Sequence, residues 1–251
     1  MSFAIGTSVG GRRSTFAAND VFFMLLVVMK CGGTWDMLAR IFRIETPTFI
    51  KTITGFIEVV APKLHEAWVA SQLDDSSMRA LVTSGHTFQN FPCALYTTDV
   101  TFQQSNRPSG SMAEAMPFYS AKHKLYGFKV EVSVNPRVLA VNCTRHSRDN
   151  TADTTMFHNN KVFHQSARCE ADGDHRLADN GSLATDYPEE WVVLADKGYQ
   201  CLGDHVRCIN PEKGNQLTPE DRRQNELISS DRVIVEIFFG RMCGLQCASK
   251  L

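Results

Sequence analysis

The stretch VVLADKGYQ, residues 192–200, joins a short apolar run to an aspartate and a glycine. Residues 192–195 are apolar without alternation, which predicts a strand covered on both faces. Gly198 marks the turn that ends this strand. Asp196 is therefore expected at the rim of a sheet, where α/β proteins bind their ligands. Considered alone, an aspartate at a strand end more often caps the following turn.

Length and charge limit the class of protein. With 251 residues, 43% of them hydrophobic, the chain is long enough for a globular core. The net charge of -1 indicates no global attraction for nucleic acid, so a DNA partner would have to meet a local basic patch. The strongest membrane candidate, residues 21–29, is about half as long as the roughly 20 residues of a membrane-spanning helix, so we predict no membrane span.

The first part of the chain predicts a small helical domain over residues 19–75. Residues 1–18 are small and polar and are expected to be disordered. The first helix is expected from Val21 to about Cys31, and Thr34 is a typical N-cap for the second. For the third helix, Thr46 is the predicted N-cap, Pro47 the predicted first residue, and Pro62 lies beyond the predicted end.

The short connection between the second and third helices is typical of a helix-turn-helix. A plain three-helix bundle fits the same spacing equally well. The third helix offers Lys51 but little other positive charge, so by itself it would bind DNA weakly.

From Ala94 onward the sequence consists of short β-rich runs separated by turns. The second of these runs alternates apolar residues with Lys129, Glu131 and Ser133, which predicts a half-buried strand. The order of elements predicts a mixed α/β sheet flanked by helices. The predicted elements are strands at 94–102, 126–134 and 137–144, a helix at 154–166, a loop at 166–189, the strand at 192–195 and a final helix at 231–242.

Four acidic residues occupy comparable places in these elements: Asp99, Asp153, Asp196 and Glu236. Glu236 lies in an almost wholly apolar helix and is therefore expected to be buried. A buried carboxylate must be paired or must coordinate a cation, and either Arg232 or Arg241 would serve as the partner.

Carboxylates that converge without a cation repel one another, and some of them would stay protonated. A hard divalent ion, Mg²⁺ or Mn²⁺, removes this conflict because such ions prefer oxygen ligands. Two such ions would activate a water or a 3′-hydroxyl for in-line displacement at phosphorus.

Five blocks of the sequence occur in the order found in PIF/Harbinger-type transposases, whose DDE superfamily endonuclease domain the chain resembles over residues 90–245. The blocks are TTDVTF (97–102), YSAKHKLYGFKVEVSV (119–134), DTTMF (153–157), VLADKGYQ (193–200) and RVIVEIFFGRM (232–242). The resemblance implies an RNase H-like fold for the domain at 90–251.

The resemblance also implies functional residues. Asp99, Asp196 and Glu236 are the expected catalytic acids, and Asp153 is the expected further metal ligand, with Asp149 as the alternative to Asp153. It further implies DNA strand transfer, a nuclear location and a separate Myb-like helper protein for DNA binding. A homodimer is a further expectation.

Several residues depart from the family pattern. Ile237 follows the glutamate where an arginine is usual, and Cys243 replaces a lysine. The turn RHSRDN, residues 145–150, replaces a glycine-rich turn. Because lost cations weaken the grip on a phosphate backbone, the alternative function is a decayed or host-adopted DNA-binding protein on the same fold.

Two further groups of residues are candidates for binding. Lys122, Lys124 and Lys197, together with Lys51, are predicted to contact DNA, although Lys122 and Lys124 equally fit a solvated hairpin tip. The second group consists of residues of the types that bind zinc: Cys201, His205 and Cys208, with His164, Cys169 and His175 near them in sequence. Paired C-x₂-C units are absent, so we favour loop residues without zinc.

Overall fold

The computed structural model describes residues 16–170, 173–199 and 206–246. The chain divides into two compact units, residues 1–64 with 244–251 and residues 65–243. Each unit has a hydrophobic core of its own. The predicted fold class is confirmed: a mixed α/β sheet of the RNase H-like kind is flanked by helices, and a helical unit precedes it.

Three helices form the first unit, because apolar residues recur along one face of each. They are α1 (Ala18–Cys31), α2 (Trp35–Ile41) and α3 (Thr46–His65). Thr34 caps α2 as predicted, since its Oγ1 accepts a hydrogen bond of 3.2 Å from the N–H of Met37. The shared core consists of Val21, Met24, Leu25, Leu38, Ala39, Phe49 and Ile53.

Two predicted helix boundaries in this unit were wrong. Helix α1 begins at Ala18, before Val21, and the Asp20 carboxylate lies inside its first turn, where it accepts a hydrogen bond of 3.0 Å from the N–H of Ala17. Pro62 lies inside α3. Proline has no N–H, so one carbonyl of the preceding helical turn has no donor within the helix. The neighbours of Pro62 at 61 and 63 are exposed, so water can donate a hydrogen bond to this carbonyl instead. Of residues 1–18, which were expected to be disordered, 1–15 lie outside the described residues, whereas Ala18 is the first residue of α1.

The second unit contains the sheet and the helices that cover it. The last helix begins well before the predicted residue 231, and the segment at 166–189, expected to be a loop, contains a 3₁₀ turn at Asp174–Arg176. Among the described residues, no helix is both long enough and apolar enough to cross a membrane. A π-helical turn at Glu66–Ala70 precedes the other elements, which are α4 (Ser71–Asp74), α5 (Met78–Ser84), β1 (Ala94–Gln104), α6 (Met112–Ala115), β2 (Tyr119–Ser120), β3 (Leu125–Val134), β4 (Ala140–Cys143), β5 (Ser147–Arg148), α7 (Asp153–Asn159), α8 (Lys161–Ala167), β6 (Val192–Ala195), β7 (Cys208–Ile209) and α9 (Pro219–Cys243).

The sheet has the order β2-β3-β1-β6-β7, and β4 and β5 also pair with β3. Strand β3 is antiparallel to β1, whereas β6 runs parallel to β1 and to β7. All four residues of β6 are fully buried, as the apolar run predicted. The central strands therefore have a core on both faces, and their side chains have little freedom to shift.

The prediction that β3 is half-buried was wrong. Glu131 and Ser133, on the face expected to be exposed, are fully buried. The Glu131 carboxylate lies within hydrogen-bond distance of His164 and Asn160 (3.1 and 2.8 Å), so the helical pair α7–α8 covers this face. A polar side chain can be buried when it has hydrogen-bond partners, and the alternation of apolar and polar residues does not reveal those partners.

His164 is itself fully buried, and burial lowers its pKa against the opposing effect of Glu131. The neutral ring satisfies both neighbours, since Nε2 donates to Glu131 and Nδ1 accepts from the Tyr96 hydroxyl at 2.9 Å. The second oxygen of Glu131, Oε2, is buried and has no partner among the described residues. This buried polar cluster fixes α8 to the central strands.

We expect Glu131→Ala to lower the free energy of unfolding by about 3 kcal/mol, because it leaves the buried His164 Nε2 without its acceptor and removes one of the two acceptors of the Asn160 amide. Chemical denaturation followed by circular dichroism measures the loss. Glu226→Ala, at an exposed position of α9, is the matched control and should change stability by less than about 0.5 kcal/mol. Equal stability of the two variants would contradict a structural role for the cluster.

Candidate active site

The pairing of β1 with β6 brings two of the predicted acids to one edge of the sheet. The parallel register ends at the pair Thr98–Ala195. Asp99 and Asp196 are the next residues on the two strands, so their backbones are neighbours. Neighbouring strands lie about 4.8 Å apart, which is close enough for one cation to contact both carboxylates.

That cation is Arg232 of α9. Its Nη1 donates to Asp196 Oδ1 at 3.0 Å, and its Nη2 donates to Asp99 Oδ2 at 3.2 Å. The Arg232 side chain is only 7% exposed, and its Nε is buried without a partner among the described residues. A nearly buried arginine with two carboxylate partners is held firmly, because losing either partner would leave it poorly compensated.

Burial is the main influence on the Asp99 carboxyl and raises its pKa to about 6. The positive charge of Arg232 and a 2.8 Å hydrogen bond from the N–H of Val100 oppose the rise. The negative charges of Asp196 and Asp153 add to it. Asp99 therefore lies in a crowded acidic environment that Arg232 only partly neutralises.

Asp153, the first residue of α7, lies on the same side of the cluster. Its Oδ1 accepts a hydrogen bond of 3.1 Å from Lys129 Nζ, which also donates to the Thr151 carbonyl at 3.1 Å. A Cβ atom added at Gly198 would lie 3.6 Å from Asp153 Oδ2 and 3.9 Å from Asp196 Oδ2. These two oxygens therefore face the same space next to Gly198.

Asp149, the alternative to Asp153, occupies a neighbouring cavity of about 260 Å³. Lys122, Lys129 and Asp153 also line this cavity, and Asp149 Oδ1 is buried without a partner among the described residues. The ring of His123, another lining residue, stacks on Phe102 with centroids 4.6 Å apart. Asp153 is the acid whose charge acts on Asp99, whereas Asp149 shares only the lining of this cavity with Lys129 and Asp153.

Glu236 is exposed, so the prediction that it is buried was wrong. The helix around it is not covered on all sides: Val233 and Ile237 are each 43% exposed. Glu236 lies one helical turn beyond Arg232, on the neighbouring part of the helix surface. Although the sequence around Glu236 is apolar, α9 is buried along one stripe only. The buried residues of this stripe are Ile228, Asp231, Arg232 and Val235.

The remaining predicted residues are distributed over the surface. Lys124 is exposed in the turn before β3, and Lys197 is exposed next to Asp196. Lys51 is exposed on α3, in the first unit.

Of the proposed zinc ligands, Cys201 and His205 lie outside the described residues. His164 is used by the buried cluster with Glu131, and Cys208 is buried in β7, where burial raises its pKa to about 12. Cys169 is exposed, and its Sγ lies 3.2 Å from the carbonyl of Gln165.

The sequence did not predict the two bases that organise the cluster. From the sequence, Arg232 is a candidate partner of Glu236, but in the structure it contacts Asp99 and Asp196 instead. The alternation of residues in β3 predicts that Lys129 lies on an exposed strand face, but Lys129 pairs with Asp153. The one available signal was an arginine in an apolar helix, four residues before an acid.

The oxygen donors of this cluster fit a hard divalent ion, because carboxylates from separate segments converge on one space. Among the described residues, no group of three or more His, Cys, Asp or Glu side chains is arranged closely enough to hold an ion as it stands. The Arg232 guanidinium bridges two of the carboxylates instead. An ion that binds both Asp99 and Asp196 must therefore compete with Arg232.

Comparison with known proteins gives one match. The family model described as DDE superfamily endonuclease matches residues 95–245, which is more than half of the chain. This range contains all four predicted acids and Arg232. No curated protein and no solved structure matches the chain.

The raised pKa of Asp99 predicts how stability depends on pH. Because the pKa of Asp99 is higher in the folded protein, its protonated form stabilises the folded state. This stabilisation is complete below the ordinary aspartate pKa of 3.8 and is lost as the pH rises through the folded-state pKa of about 6. Wild-type protein should therefore lose stability relative to Asp99→Asn between pH 5 and pH 7.5, in buffer with EDTA.

Thermal unfolding at the two pH values measures this difference. The exposed Asp186 provides the control variant, Asp186→Asn, whose difference from wild type should stay constant. A constant difference for Asp99→Asn as well would show that Asp99 titrates normally.

Proposed function

Because the chain belongs to the DDE superfamily endonuclease family, we propose that it cuts and joins DNA phosphodiester bonds by a carboxylate–metal mechanism. The observation that carries this proposal is the convergence of Asp99 and Asp196 on one cationic group, with Asp153 facing the same space. Nucleases of this superfamily generally use divalent metal ions and act on DNA.

We assign the catalytic roles to Asp99, Asp196 and Glu236, with Asp153 as a further metal ligand. A divalent ion, Mg²⁺ or Mn²⁺, would supply activation of a water or a DNA 3′-hydroxyl and stabilisation of the leaving oxygen. Asp99 and Asp196 hold fixed positions at the ends of paired strands. Glu236 is exposed one helical turn beyond Arg232, and its role in this proposal requires it to join the two aspartates when Arg232 withdraws.

The DNA contacts that we propose involve both units. Lys122 and Lys129 line the cavity that also contains Asp153, which supports a contact of these lysines with a phosphate next to the cleaved bond. Lys124 and Lys197 are exposed in the same unit, and Lys51 is exposed on α3. Few other cations accompany Lys51 on α3, which supports a separate DNA-binding helper protein.

The subtype that we propose is PIF/Harbinger, with a helix-turn-helix in the first unit, a Myb-like helper, a homodimer and action in the nucleus. This subtype is supported by the five sequence blocks in order. The short connection between α2 and α3 supports the helix-turn-helix.

One observation favours a second candidate, a non-catalytic DNA-binding protein on the same fold. Arg232 already compensates Asp99 and Asp196, so the cluster is tolerable without a metal ion. The replacement of family cations by Ile237 and Cys243 points in the same direction. The two candidates differ in metal uptake.

We expect Mn²⁺ to bind wild-type protein and to bind Arg232→Gln at least about tenfold more tightly, about 1.4 kcal/mol, because the variant frees two carboxylates and removes a repelling charge. Asp196→Asn should abolish binding. Arg241→Gln, at an exposed position of the same helix, is the matched control and should resemble wild type.

Isothermal calorimetry measures the affinities, and circular dichroism verifies folding. Weaker binding by a folded Arg232→Gln would contradict competition, and lack of uptake by wild type would support the second candidate.

The direct test of the proposed function is cleavage of supercoiled plasmid DNA in the presence of Mn²⁺. Wild type should relax or linearise the plasmid, and EDTA should stop the reaction. Asp99→Ala should reduce the rate at least about 100-fold, about 2.7 kcal/mol in the barrier, whereas Asp186→Ala should not. Equal rates for wild type and Asp99→Ala would remove the catalytic assignment.

A further inference from the structure

An open cavity of about 700 Å³ lies at the far end of the β1–β3 ladder. It is lined by the aromatic side chains of Phe118 and Phe128, by His146 and Arg148, and by the amides Asn106 and Asn159. The roles assigned above to the acids, Arg232 and the lysines use none of these six residues. Its volume lies within the range of about 300–1,000 Å³ that is typical of sites for small organic groups.

The aromatic rings that line this cavity pack edge to face. The Phe118 and Phe128 rings meet edge to face with centroids 5.3 Å apart, and the Phe128 and His146 rings do so at 5.0 Å. The Arg148 guanidinium carbon lies 5.5 Å from the centre of the Phe118 ring. Phe118 and Phe128 are only partly buried, so they offer ring surface to a ligand. Planar groups stack on such rings, and a guanidinium next to them adds positive charge.

The cavity lies close to the carboxylate cluster. The carbonyl of Thr151, another lining residue, accepts the hydrogen bond from Lys129, which in turn bonds Asp153. Phe128 pairs with Gln103, four residues along β1 from Asp99. This separation is about 13 Å at 3.3 Å per strand residue, which corresponds to roughly four steps along duplex DNA at 3.4 Å each.

We propose that this cavity binds one unstacked nucleobase of the DNA substrate, within about four nucleotides of the cleaved bond. The inference rests on the proposed action on DNA. A base has a π-face for the rings of Phe118 and Phe128 and a polar edge for the amides of Asn106 and Asn159. Arg148, exposed at the rim, supplies charge for the adjoining phosphate. A purely apolar ligand would make no use of the amides or of the guanidinium.

The probe is a 16-nucleotide single-stranded DNA of mixed sequence, and its matched partner has an abasic site at one position. A set of such pairs moves the abasic site along the strand. Binding is measured by fluorescence anisotropy in EDTA, so the result does not depend on cleavage. At one position, wild type should bind the intact strand about tenfold more tightly than the abasic strand, as expected for the loss of one stacked base.

Phe118→Leu and Phe128→Leu retain apolar volume but remove the stacking ring, and both should abolish the tenfold preference. Trp68→Leu, at an exposed aromatic residue away from the cavity, is the matched control and should retain the preference.

Arg148→Ala should weaken the binding of the intact and the abasic strand equally, and Arg223→Ala, at an exposed position of α9, should not weaken either. A 2-aminopurine at the preferred position should change its fluorescence on binding wild type but not on binding Phe128→Leu.

Asp99→Asn separates this inference from the proposed function. If the variant loses cleavage but retains the base preference, both proposals stand. If wild type does not cleave DNA but shows the preference, the cavity is a base site on a non-catalytic DNA-binding protein, and only the proposed reaction fails. A wild type that binds intact and abasic strands equally at every position overturns the inference, as does a preference that survives in folded Phe118→Leu and Phe128→Leu.

Discussion

The ion pairs of Arg232 with Asp99 and Asp196 are the interaction on which the proposed site depends. Two carboxylates at the ends of adjacent strands repel, and their partial burial strengthens the repulsion because water screens it less. The guanidinium offsets this cost by bonding both at once. It also connects α9 to the central strands. A metal ion that binds both carboxylates would have to displace this guanidinium.

The sheet keeps these carboxylates in place. Strand β6 is buried on both faces, and on the α7–α8 side of β3 the cluster of Glu131, His164 and Tyr96 fixes a helix to the strands. On the other side, Val235 of α9 packs against Val132 and Val134. Catalytic groups held by rigid elements keep their geometry better than groups on loops. The raised pKa of Asp99 is the electrostatic consequence of placing several acids at such an edge.

The sequence predicted most of the fold, because periodicity and apolar runs report directly on burial. Strand β6, the cap at Thr34 and the place of Asp196 at a strand end all follow from local patterns. The errors arose where tertiary contacts decide. Glu131 alternates like a solvent-facing residue, but helix α8 covers it. Glu236 sits among apolar residues, but α9 is buried along one stripe only. The double pairing of Arg232 depends on residues more than 30 and more than 130 positions away, a separation that no local pattern encodes.

The most direct test of this account is a crystal structure of the protein soaked with Mn²⁺, with anomalous diffraction recorded near the manganese absorption edge. We predict an anomalous peak within about 2.5 Å of oxygens from both Asp99 and Asp196, with the Arg232 guanidinium moved away from at least one of them. An anomalous peak at another place, or Arg232 still bonded to both carboxylates in manganese-soaked crystals that cleave DNA, would contradict it.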